Sequence, residues 1–144
     1  MKKIGLLILL LISLTSCSND DNNNKPTKAY HGKWNLTVMD RIRSPFANYI
    51  IVLEWEESYI FNSNGSFSKT RIMDNKTSTI SGFYSVVETS DKTHFTLLYG
   101  ASNEMIASCT GNLIENLYIT NSTGRLYNTW ETCDGPLLIY DKSK

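Results

Sequence analysis

An all-β fold follows from three features of the chain. Large apolar residues recur two apart over short runs, as a strand with one buried face requires. Clusters of Asn, Ser, Asp and Gly interrupt those runs at regular spacing, and these residues tolerate the backbone angles of tight turns. No stretch from Tyr30 onwards keeps a helical period for long. Roughly eight to ten such runs fit a single antiparallel meander closed into a barrel of about eight strands, because closure removes the exposed edges. A chain of 144 residues has room for one domain of this kind.

At the N-terminus, Lys2 and Lys3 precede an apolar run, residues 4–12, that leads into Leu14-Thr15-Ser16-Cys17. The lysines suit the cytoplasmic side of a membrane. A helix over residues 4–14 would be roughly 16 Å long, about half the hydrocarbon thickness and too short for a lasting span. Residues 1–16 therefore read as a cleavable signal peptide. Leu14-Thr15-Ser16-Cys17 resembles the lipobox of bacterial lipoproteins, and the resemblance implies that Cys17 becomes the acylated N-terminus of the mature chain. The alternative is an ordinary secretory signal with a chance cysteine. Each buried methylene contributes about 0.8 kcal/mol, so two or three acyl chains anchor a protein where one does not.

The polar stretch that follows has nothing to bury, and residues 17–29 are expected to be a flexible tether reaching roughly 18 Å. Ser18-Asn19-Asp20-Asp21 resembles the short acidic export signal of surface-exposed Bacteroidota lipoproteins. That implies a lipid-anchored outer-membrane protein displayed at the cell surface. The alternative is the periplasmic face, with the acidic and Asn residues serving only to keep the linker soluble.

Strands are expected over residues 34–38, 49–55, 58–61, 66–72, 80–87, 95–99, 105–110, 113–120, 125–130 and 137–140. In the first, period two places Trp34, Leu36 and Val38 on one face. Asn62-Ser63-Asn64-Gly65 accepts positive φ and joins its neighbours as a hairpin. Phe95, Leu97 and Tyr99 again share a face. Further turns fall at Asp91-Lys92, Asn103 and Asn121-Ser122-Thr123-Gly124.

Gly32-Lys33-Trp34, opening the first strand, resembles the Gly-x-Trp signature of lipocalins. The order that follows is Tyr59-Ile60-Phe61, Asn64-Gly65-Ser66-Phe67, Gly82-Phe83-Tyr84, the 95–99 strand, and Cys133-Asp134-Gly135-Pro136 before Ile139-Tyr140. It is similar to lipocalin-like domain lipoproteins of Bacteroidota over residues 30–144. The resemblance implies a calycin-type barrel with Trp34 across its closed base, beneath a cavity. The chain departs from typical lipocalins in being short, with no clear helix after the last strand.

The chain carries 14 basic and 14 acidic side chains, and loss of Lys2 and Lys3 with the signal peptide leaves 12 against 14. That is no footprint for nucleic acid. With Cys17 given to lipid, Cys109 and Cys133 remain as an even pair in an oxidising compartment. One intrachain disulfide is expected, the alternative being two free buried thiols. The enclosed loop of about 25 residues would contribute roughly 3.5 kcal/mol through unfolded-state entropy. His31 and His94 stand at no ligand spacing from a cysteine, so no metal is expected.

Glu54, Glu56 and Glu57 surround Trp55 as the densest acidic group, with Glu54 and Glu56 on one side of a strand. Paired carboxylates can divide acid and base roles, but such a group is more often a solvated sheet face. No nucleophile elbow, phosphate loop or dinucleotide fingerprint occurs. Neither catalytic residues nor a cofactor are expected, and the chain does not read as an enzyme.

The aromatic residues either fill the core or line a cavity. Trp34, Tyr59, Phe61, Tyr84 and Phe95 are the candidate ligand-binding residues, with a small pocket near the last four. The first functional expectation is a lipid-anchored lipocalin-like module that binds a small apolar or amphipathic ligand. A second is a protein-interaction module such as an inhibitor-type barrel. A third is an accessory subunit of surface nutrient or glycan capture, which would need an exposed aromatic platform including Trp55 or Trp130.

Overall fold

The computed structural model describes residues 27–40 and 53–144. Cys17, the signal segment, residues 17–26 of the expected tether and residues 49–52 of the second expected strand lie outside the described residues. Eight strands among the described residues close into an antiparallel barrel in sequence order. They are β1 (Gly32–Asp40), β2 (Glu56–Phe61), β3 (Ser66–Met73), β4 (Lys76–Glu88), β5 (Lys92–Tyr99), β6 (Ile114–Thr120), β7 (Leu126–Asn128) and β8 (Leu137–Lys142). Pairing of β1 with β8 closes the ring and leaves no open sheet.

Turn chemistry sets the register. Gly65 takes a φ of +87° in the β2–β3 turn, where its missing Cβ removes the usual penalty. The β3–β4 turn is Asp74-Asn75, both in the left-handed region at φ 51° and 61°, the conformation that a two-residue hairpin matched to strand twist requires. Residues 73–79 fall between two expected strands in the sequence reading, yet they complete this hairpin: Met73 pairs with Lys76 and Ile72 with Thr77.

Period two holds along most strands and fails instructively in β1. Trp34 and Leu36 point inward, but a register shift between Leu36 and Val38 turns the remainder of the strand over. Met39 is buried in place of Val38, which is only partly buried. In β4, Gly82 faces the crowded interior: a Cβ there would stand 2.0 Å from the Leu98 carbonyl oxygen and 2.9 Å from the Phe67 ring. Only glycine fits that close approach.

Two other expectations are corrected. Residue 53 is irregular and residues 54–55 are bends, rather than the end of a strand. Residues 105–110 form part of the long β5–β6 connection, because local bonds replace a ladder there. The Asn103 side chain accepts from the Met105 N–H at 2.9 Å, and Met105 and Ala107 are buried. The Cys109–Cys133 disulfide is formed, with Sγ atoms 2.08 Å apart, and ties this connection to a 3₁₀ turn, Trp130–Cys133, between β7 and β8. The barrel thus has two distinct ends. One gathers the start of β1 and the β2–β3, β4–β5 and β6–β7 turns; the other gathers the β3–β4 turn and the disulfide-tied connections.

Candidate functional site in the barrel interior

Four of the five candidate ligand-binding residues converge in the half of the barrel where β1 begins. Phe61 lies 5.1 Å from Tyr84 and 5.0 Å from Phe95, measured between ring centroids, and Tyr59 stacks on Phe61 at 5.9 Å. Tyr30 meets Phe95 edge to face at 5.3 Å. Trp34 stands beside them, its indole N–H donating to the Tyr30 carbonyl at 2.9 Å. Trp34, Tyr59, Phe61 and Phe95 are almost wholly inaccessible, so these rings fill the lumen. Tyr84 is half-buried, donates its hydroxyl to the Asn62 carbonyl at 2.7 Å and has its pKa pushed up to about 12, chiefly by burial. A pocket of about 290 Å³ opens outside it, lined in part by Lys28, Tyr30 and His31.

The other half of the barrel holds a buried network of charges. Lys69, wholly inaccessible on β3, donates to Glu115 Oε1 at 3.0 Å and to the Met105 carbonyl at 2.7 Å. Its ammonium also lies 3.3 Å from Glu57 Oε1. Glu115 accepts further bonds from the hydroxyls of Tyr59, at 2.8 Å, and Tyr99. Glu57 accepts from Tyr140 at 2.6 Å and from Arg71 Nε at 2.6 Å. The four formal charges cancel, as burial of several ions demands. The guanidinium of Arg71 lies over the Trp55 ring at 4.3 Å.

Burial, followed by the neighbouring glutamate charges, raises the pKa of Tyr59, Tyr99 and Tyr140, so their phenols stay protonated and donate. The sign fixes a prediction. A folded pKa above the unfolded value of 10.0 leaves this contribution to stability intact below about pH 10. It is lost progressively as the pH rises above that. Alkaline titration should show these three phenols ionising together with loss of native circular dichroism. Tyrosinate absorbance that is complete while the fold persists would contradict the network.

Sequence reasoning passed over Lys69 and Glu115 and treated Glu57 as surface. Period two carried the signal: Glu57 alternates with Trp55, Tyr59 and Phe61, Lys69 follows Phe67 by two, and Glu115 precedes Leu117 by two. Glu54 and Glu56 are exposed, whereas Glu57 is buried.

Next to the network, β1 and β2 part. Their pairing ends at Asn35 with Ser58, beyond which β1 pairs only with β8. A cleft of about 430 Å³ lies there, lined by apolar Leu36, Leu53 and Ile72 and by polar groups that include Glu56, Glu57 and Thr70. Two buried donors nearby lack a hydrogen-bond partner among the described residues: Trp55 Nε1 and Arg71 Nη2. Arg71 Nη2 is nonetheless ion-paired, 2.6 Å from Glu57 Oε2.

An apolar row crosses three strands on the outer face. Phe83, Leu98 and Ile114 are cross-strand partners on β4, β5 and β6, with 69%, 53% and 36% of their surface exposed. Trp55 is buried, and Trp130 packs partly into the core with Gly135 close against its ring. Neither indole forms the free platform that the glycan-capture expectation needed. No known protein family, curated protein or solved structure matches this chain.

Proposed function

We propose that this chain is a lipid-anchored envelope lipoprotein whose barrel binds a small apolar or amphipathic molecule. The observation that carries the reading is the cleft where β1 and β2 part. Its volume of about 430 Å³ lies in the ordinary range for ligand sites, and its walls are apolar on some sides and polar on others. Trp34, Tyr59, Phe61 and Phe95 are almost wholly inaccessible, which favours the cleft over the smaller pocket beside Tyr84 as the ligand site. The buried carboxylates are already engaged by Lys69, Arg71 and three tyrosines, which favours binding over acid–base catalysis.

Acylation of Cys17 at the outer membrane is part of the same proposal. Its tether would enter at the end where β1 begins, leaving the disulfide-tied end directed away from the lipid. A second reading, a protein-interaction module, draws on the Phe83–Leu98–Ile114 row, since contiguous exposed apolar surface marks contact sites.

Native mass spectrometry of protein purified from its own membrane separates these readings. The expected result is an acylated chain beginning at Cys17 with a retained small molecule. A retained polypeptide would support the second reading. An acylated chain free of small molecules would overturn the first, and an unprocessed chain without acyl groups would overturn the anchor.

A further inference from the structure

We propose that the barrel end where β1 begins is a basic face that docks on the anionic lipid surface holding the chain's own anchor, and so orients the barrel on the membrane. This rests on the acylation of Cys17. Basic and acidic side chains are equal in number along the whole chain, but closure of the barrel sorts them. The end where β1 begins carries Lys28, Lys33, Lys92, Arg125, Lys142 and Lys144 against Glu88, Asp91 and Asp141, six basic against three acidic. At the opposite end Lys76 faces seven acidic residues among the described ones. Asp40, Glu54 and Glu56 stand where β1 ends and β2 begins, Asp74 in the β3–β4 turn, and Glu104, Glu131 and Asp134 in the disulfide-tied connections. Counting Arg41 and Arg43, which lie outside the described residues, at that end leaves its acidic excess in place. Glu57, Lys69, Arg71 and Glu115 cancel inside the barrel.

Within the basic face the acidic groups are engaged locally. Glu88 pairs with Lys28 at 3.3 Å and Asp141 with Arg125 at 2.7 Å, while Asp91 accepts from the Thr89 hydroxyl at 3.0 Å. Lys33, Lys142 and Lys144 are exposed. Lys142 Nζ donates to the Ala29 carbonyl, and the Ser143 N–H donates to the Lys33 carbonyl at 2.8 Å, so the tether reaches the barrel beside these lysines.

Distance makes the sorting effective. Each uncompensated basic side chain near an anionic membrane favours that position about fivefold. An eight-residue strand such as β5, tilted in a barrel, rises roughly 20 Å, about two Debye lengths or more at physiological salt. The acidic end is therefore screened from the lipid when the basic face is down and repelled when it is turned over. A tether reaching roughly 18 Å does not fix the orientation by itself. Asp20 and Asp21 against Lys25 in the tether offset only one of the three net charges.

The test uses the acylated chain purified from its own membrane. It is added to vesicles of equal parts phosphatidylcholine and phosphatidylglycerol, and to vesicles of phosphatidylcholine alone, and labelled at trace extent with a water-soluble amine reagent. Mass spectrometry reads the acyl groups and each lysine in the same sample. Lys28, Lys33 and Lys142 should label at least about fivefold more slowly on the anionic vesicles than on the neutral ones, and Lys76 equally on both. Salt at about 1 M should abolish the difference. Lys33→Glu with Lys142→Glu reverses two of the charges, and Lys28 should then label on anionic vesicles as it does on neutral ones. An unaltered melting temperature shows that this variant folds; if it melts early, the salt comparison decides alone. Equal labelling of the three lysines on both vesicles, or equal slowing of Lys76, overturns the docking face and leaves the anchor standing. A chain that carries no acyl group and stays off both vesicles overturns the anchor and the docking face together. One that carries none, yet binds the anionic vesicles with the same three lysines protected, overturns the anchor alone.

Discussion

Lys69→Met is expected to cost about 3–5 kcal/mol of folding stability, the range typical of breaking a buried ion pair from one side. The ammonium contacts both Glu57 and Glu115 and also donates to the Met105 carbonyl. Without it, two carboxylates face the interior with only Arg71 to balance them, and the Met105 carbonyl loses its donor. Methionine fits the space, so the loss reports charge rather than a cavity. The companion variant Lys69→Met with Glu115→Gln removes one charge of each sign and should recover more than half of the loss. Urea unfolding with the disulfide intact measures both. A cost below about 1 kcal/mol for the single variant would show that the network is not dry and charge-coupled.

That network also shows what the amino-acid pattern did and did not disclose. The barrel was legible because alternation and turn residues repeat: Phe95, Leu97 and Tyr99 face inward as period two requires, and Gly65 makes the turn its neighbours announce. Cysteine arithmetic led to the Cys109–Cys133 bond. Val38 was misplaced because a bulge adds a residue without any composition signal, and its consequence is visible only in the register with β8.

Residues 105–110 have strand-like composition but no strand partner. Their apolar groups are buried by a loop held through Asn103, Lys69 and the disulfide. Glu57, Lys69 and Glu115 were obscured by a prior. Charged residues are seldom inside, and the alternation that put these three there identifies no partner until strands remote in sequence are side by side. Tyr59 and Glu115 are 56 residues apart in the chain and hydrogen-bonded in the fold.

Replacing both Cys109 and Cys133 with serine is the second change with a large expected effect, a loss of roughly 3.5 kcal/mol from loop-closure entropy alone. The folded state should respond as well. The disulfide fixes the β5–β6 connection to the 3₁₀ turn, and that same connection delivers the Met105 carbonyl to the Lys69 ammonium. If the bond holds the carbonyl in place, its loss weakens one support of the buried charges, and the two effects are coupled. In a double-mutant cycle, Lys69→Met should therefore cost less in the disulfide-free background than in the parent, by at least about 0.5 kcal/mol. Amide exchange gives a second readout. The Ile106 N–H bonded to the Asn103 carbonyl should lose protection, while amides paired between β5 and β6 keep theirs. Strict additivity, with Ile106 still protected, would confine the disulfide to the unfolded chain and leave Met105 held by local packing alone.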